Sequence, residues 1–147
     1  MAGKALTDGG QLTIAGQGYQ HGFGTHAPSH LRAYPAGTCT RFDTAVGVDD
    51  EAGGGSVTFQ VYADGQLVHD TGPLTAGQPA QPLGLDITGV RLLHLVVTDG
   101  GDGQYADHAD WAPDRHRLRG LSRFGRWPIA PARCRWCPTS TSCCRRR

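Results

Sequence analysis

Between Ser56 and Tyr62 apolar and polar residues alternate, with Val57, Phe59 and Val61 pointing one way and Thr58, Gln60 and Tyr62 the other. A period of two belongs to a half-buried strand and conflicts with the 3.6-residue period of a helix. Asp64-Gly65 follows, a pair suited to a tight turn, so Gln66 to Asp70 reads as the returning strand of a hairpin. The pattern recurs. Phe42, Val46 and Val48 share a face from Arg41 onward, Leu83, Leu85 and Ile87 share another, and Leu93, Leu95 and Val97 a third. Shorter strands are expected around Leu12 to Ile14 and His30 to Ala33. Several short strands separated by turn signals predict an all-β, antiparallel sandwich or barrel. The 22 glycines and 9 prolines among 147 residues argue further against long helices, and no solenoid period is present.

Fourteen Lys and Arg oppose 13 Asp and Glu, and the basic residues gather on no periodic face before Arg115. That distribution excludes a nucleic-acid footprint on the folded part. No window approaches the roughly 18 apolar residues of a membrane span, so no membrane partner is expected. The opening stretch AGKALTDGGQ after Met1 has no apolar run, which predicts no signal peptide in this chain.

Three polar, glycine-rich connections, Gly22 to Ser29, Asp49 to Ser56 and Asp99 to Asp110, are the places where a rigid sheet would position a site. The last holds Asp99, Asp102, Asp107 and Asp110 within twelve residues, hard oxygen donors of the kind Ca²⁺ takes. The spacing is not that of an EF-hand, and aspartates in loops also cap turns; both readings stand. Trp111 beside His108 and Asp110 suits a sugar, whose C–H face stacks on an aromatic ring while its hydroxyls bond carboxylates and imidazoles. The same Trp could plug a core. His26 could contact ligand or orient its own loop, and Asp49, Asp50 and Glu51 form either a solvated run or the rim of a site. Carboxylates near histidines are also raw material for a small hydrolase. Yet the chain has no nucleophile elbow, no His-Glu-x-x-His helix and no phosphate loop, and Gly16-Gln17-Gly18 followed by Gly22 misses the dinucleotide spacing.

Four blocks in order, GFGTHA from Gly22, RFDTAVGVDDE from Arg41, VTFQVYADGQLVHDTG from Val57 and LLHLVVTDGGDGQYADHADWA from Leu92, resemble the NPCBM domain over about Gln11 to Ala112. The resemblance implies a jelly-roll β-sandwich that binds galactose-containing or related glycans without catalysis. It implies an accessory module of an extracellular, secreted glycoside hydrolase, with that enzyme's catalytic domain as its partner and often a structural Ca²⁺. On that reading His26, Asp49, Asp50, His108, Asp110 and Trp111 are carbohydrate-binding candidates, and Asp99, Asp102 and Asp107 are metal candidates. The rivals are the small hydrolase and a protein-binding adhesion module on the same scaffold.

After Trp111 the character changes: residues 113–147 are rich in Arg, Pro and Cys, with neither strand alternation nor a helical stripe. The expected organisation is an N-terminal extension over 1–10, a sandwich over 11–112 lacking terminal strands of the family, and a disordered tail. A shifted reading frame would produce such a tail, and Cys39 would then have lost its disulfide partner. Cys134, Cys137, Cys143 and Cys144 resemble a zinc knuckle only superficially, because adjacent Cys143 and Cys144 cannot easily serve one tetrahedral site.

Overall fold

The computed structural model describes residues 11–103 and 106–113. The N-terminal extension, the Arg/Pro/Cys-rich tail with its four cysteines, and the frame-shift reading of that tail lie outside the described residues. Ten strands form: β1 (Leu12–Ile14), β2 (Gln17–Tyr19), β3 (Phe23–His26), β4 (Ser29–Ala33), β5 (Arg41–Val48), β6 (Ser56–Ala63), β7 (Gln66–Thr75), β8 (Gln81–Asp86), β9 (Leu93–Asp99) and β10 (His108–Ala112). One 3₁₀ turn, Asp50–Ala52, follows β5. The order β3-β10-β5-β8 makes one antiparallel sheet and β4-β9-β6-β7 the other, with β1-β2 as a separate hairpin. From β3 onward the chain passes repeatedly between the two sheets, which is the expected jelly-roll sandwich. None of the described helices is long and apolar enough to cross a membrane.

The alternation that predicted β6 also builds the core. Val57, Phe59 and Val61 are fully buried between the sheets, meeting Val46 and Val48 of β5 and Leu93, Leu95 and Val97 of β9 in one cluster. Each such side chain contributes about 1.5–3 kcal/mol by leaving water. The β6–β7 hairpin turns on Asp64 and Gly65, at φ 48° and 85°, the two positive angles of a type I′ turn. The carboxylate of Asp64 accepts the backbone N–H groups of Arg91 at 3.1 Å and Leu92 at 2.9 Å, tying this turn to the start of β9.

Besides β3, which lies within the Gly22 to Ser29 connection expected to be loop, two parts of the fold depart from expectation. His108–Asp110 closes the connection expected from Asp99, yet it opens a strand, His108–Ala112, between β3 and β5. Its inner face, Ala109 and Trp111, joins the main core, while Ala112 on its outer face packs with Leu12, Ile14 and Tyr19 of the β1-β2 hairpin. A strand covered on both sides needs no polar/apolar alternation. The hairpin sits so close that a Cβ on Gly47, the β5 partner of Asp110, would come within 2.5 Å of Ile14 Cγ2. Cys39 is the second departure: it is buried and disulfide-bonded, which corrects the expectation of a lost partner.

Candidate functional site

The chain ends of β3, β5 and β9 and the chain starts of β4, β6 and β10 lie at one end of the sandwich, because antiparallel neighbours place their opposite termini together. Backbone hydrogen bonds sew their loops to each other. Ala27 N–H donates to Asp107 O at 2.9 Å, Asp49 N–H to His108 O at 3.1 Å and Gly100 N–H to Ser56 O at 2.7 Å. Gly55, at φ +91°, passes so close to the last loop that a Cβ would stand 2.5 Å from Ala106 O. The three connections singled out in the sequence therefore form one surface, although they are spread over some eighty positions of chain.

His26 and His108 face each other across the β3/β10 pairing, ring centroids 5.2 Å apart at 78°. His26 Nδ1 lies 2.7 Å from Ala27 O. A carbonyl only accepts, so this nitrogen is the donor. Both residues are half-buried.

The acidic run after β5 has two distinct jobs. Asp49 is 2% exposed and caps the 3₁₀ turn, accepting Glu51 N–H at 2.8 Å. Asp50 is exposed, and its two carboxylate oxygens accept Ala15 N–H at 2.9 Å and Gly16 N–H at 2.7 Å. It thereby holds the tip of the β1-β2 hairpin against the loop end. Neither bond could be read locally, since the partners are more than thirty residues away.

Asp99, Asp102 and Asp107 each spend an oxygen on the fold. Asp99 accepts Gly101 N–H at 3.1 Å, Asp102 accepts the Ser56 hydroxyl at 2.7 Å and Asp107 accepts Ser56 N–H at 3.2 Å. Capping of turns and strand starts, one of the two readings of these residues, is thus realised. Asp107 Oδ2 is buried with no hydrogen-bond partner among the described residues. Burial raises the pKa of Asp107, the charges of Asp102 and Asp99 add to the rise, and the Ser56 N–H and His26 oppose it. Among the described residues no three His, Cys, Asp or Glu side chains form a group that could hold a metal ion. What the loop does offer calcium is hard oxygen chemistry and one buried oxygen in want of a partner. Ser56, which joins Asp102 and Asp107, was not foreseen as a site residue, and its only sequence signal is its place between a glycine run and a strand.

Asp110 and Trp111 occupy β10 itself. Trp111 is 2% exposed and meets Phe59 in the core, the core-plug side of the two readings its sequence left open. Asp110 is 1% exposed, and neither of its oxygens meets a donor among the described residues. Burial pushes its pKa up to about 9, helped by the negative charge of Asp49 and a carboxyl–carboxyl contact with it, then by Glu51 and Asp50. A carboxyl with such a pKa holds its proton at neutral pH. Asp49 and Asp110 are thus both enclosed. His26, His108 and Asp50 remain at the surface.

Comparisons with known proteins agree with this architecture. A sequence model of the NPCBM/NEW2 domain matches residues 2–116. The chain is 35% identical over 105 residues to the alpha-1,3-galactosidase B of Akkermansia muciniphila, covering 68% of this chain and 13% of that enzyme. It is 30% identical over 110 residues to a Renibacterium salmoninarum protein provisionally named an endo-alpha-N-acetylgalactosaminidase, covering 74% of this chain and 7% of that protein. It therefore spans a small part of the curated relatives it matches. Among solved structures, the CBM51 of Clostridium perfringens GH95 in complex with methyl-galactose is similar, with a TM-score of 0.68 and 36% identity, covering 74% of this chain and 81% of that one. The structure of CBM51-2 in complex with GlcNAc and INT domains from Clostridium perfringens ZmpB has a TM-score of 0.66 and 33% identity, covering 71% and 24% respectively.

Proposed function

Because the chain belongs to the NPCBM/NEW2 domain family, we propose that it is a non-catalytic carbohydrate-binding module that takes galactose-containing or related glycans at the loop end of the sandwich. The observation that carries this reading is the likeness to a module solved with methyl-galactose, which extends over 81% of that module. A second similar module was solved with GlcNAc, so the fold accommodates more than one sugar. The chemistry at the loop end is compatible. His26 and His108 offer imidazole nitrogens to hydroxyls, and Asp50 is exposed in the turn that follows β5.

Access supports the non-catalytic reading. A general acid must reach the atom it protonates, and Asp110, whose pKa burial pushes up to about 9, is walled in beside Asp49. The curated relatives bear glycosidase names and are many times longer than this chain, which supports a role as an accessory domain of an extracellular glycosidase. The benefit to an attached catalytic domain is effective concentration at a polysaccharide.

Calorimetric titration of the folded chain with methyl-galactose, galactose-containing oligosaccharides and GlcNAc tests this. Binding should be lost in His26→Ala and His108→Ala with the circular dichroism unchanged; no heat with any of these sugars would reject the reading. Calcium, held by Asp107 with Asp99 and Asp102, is part of the same proposal. A ligand bound only by the native state raises its melting temperature. Identical melting curves in calcium and in excess chelator would remove the metal.

A further inference from the structure

Away from the loop end, the β4-β9-β6-β7 sheet has an outer face whose composition the glycan reading does not use. Leu31 and Ala33 of β4 and Leu93, Leu95 and Val97 of β9 point into the core, so His30 and Arg32, and His94 and Val96, point outward. His94 stands opposite Arg32 on one side and Tyr62 on the other, and His30 lies diagonal to it. His30 Nδ1 is 3.1 Å from His94 Nε2, with ring centroids 5.1 Å apart and planes tilted by 32°.

We propose that His30 and His94 chelate a borderline divalent transition-metal ion, with Cu²⁺ held most tightly and water filling the remaining positions. The first argument is the bite. Two nitrogens each about 2.05 Å from an ion lie about 2.9 Å apart at a right angle and about 3.3 Å apart at a tetrahedral one. The 3.1 Å between these nitrogens falls between the two. In the metal-free protein a single proton occupies this gap, and the ion replaces it.

Position supports the site. β9 is hydrogen-bonded on both sides, to β4 and β6, so the backbone carrying His94 is fixed. Tyr62 flanks the His94 ring at 6.0 Å and is itself tethered, its O–H donating to Gln60 Oε1 and Gln60 Nε2 donating to Asp70 Oδ2. Rigid support of this kind limits the side-chain freedom lost on binding. Imidazole donors select copper, nickel and zinc over calcium and magnesium, and the divalent order peaks at copper. The ion is thereby distinguished from any hard cation at the aspartate loop.

The test is calorimetric titration of untagged protein with Cu²⁺ in a non-chelating buffer, paired with electron paramagnetic resonance of the loaded protein. One tight ion per chain and a two-nitrogen hyperfine pattern are expected. His30→Ala and His94→Ala should each weaken binding by at least about tenfold, and each should lose the two-nitrogen pattern. His21→Ala, at an exposed position outside the pair, should leave both readouts unchanged. His30 is exposed, so its variant retains the fold and decides the matter if His94→Ala does not fold. Absence of a tight ion in the parent, or a His30→Ala protein that binds copper as the parent does, overturns the proposal.

Discussion

The indole of Trp111 meets the ring of Phe59 edge to face, centroids 5.0 Å apart and planes at 89°. This contact joins the centre of one sheet, β10, to the centre of the other, β6, and both side chains are cut off from solvent. Trp111→Ala should therefore cost about 3–5 kcal/mol of stability, the usual loss for a large aromatic removed from a core. Chemical denaturation would measure it. A variant that unfolds at the parent's midpoint while losing sugar binding would return Trp111 to the binding surface.

The Asp49–Asp110 pair makes stability depend on pH. With a folded pKa of about 9 against an ordinary 3.8, Asp110 holds a proton in the native state that the unfolded chain has released throughout that window. Stability contributed by this group is thus full below the lower value and falls as pH rises toward the upper, by at most about 1.4 kcal/mol per unit. Asp107, also shifted upward, adds a loss of the same sign. Asp110→Asn supplies a permanent N–H donor to Asp49, so it should raise the melting temperature at pH 7 and flatten the profile between pH 5 and 8. An unchanged slope in that variant would show that Asp110 is not the titrating group.

Asp50 fastens the N-terminal hairpin through two backbone N–H groups. Asp50→Ala should destabilise the hairpin tip by about 1–3 kcal/mol, the cost of charge-assisted hydrogen bonds lost together. Hydrogen exchange would detect this as faster labelling at Ala15 and Gly16, with Val57 to Val61 unaffected. Equal labelling of the tip in parent and variant would mean that the packing of Leu12 and Ile14 alone holds the hairpin.

Cys39 should appear in a non-reducing digest only within a cross-linked species, and reduction should release its peptide at the unmodified mass. Recovery of a free Cys39 thiol from the folded protein, trapped by alkylation before digestion, would contradict the bond.

Strand alternation around Val57, Leu83 and Leu95, the Asp64-Gly65 turn and the three glycine-rich connections could be read in the sequence. They depend on one exposed and one buried face, or on backbone angles that few residues tolerate. The ordered blocks around His26, Asp49 and His108 likewise carried the family resemblance, and with it the fold class. Tertiary structure alone decided what β10 does. With one face against Phe59 and the other beneath Leu12 and Ile14, it loses the alternation that would have marked it as a strand, and Trp111 turns inward. The same closeness buries Asp110 against Asp49, and the hairpin tip finds Asp50 across more than thirty residues. Local patterns record whether a side chain meets water or protein, but the identity of the protein partner is settled only when distant segments pack.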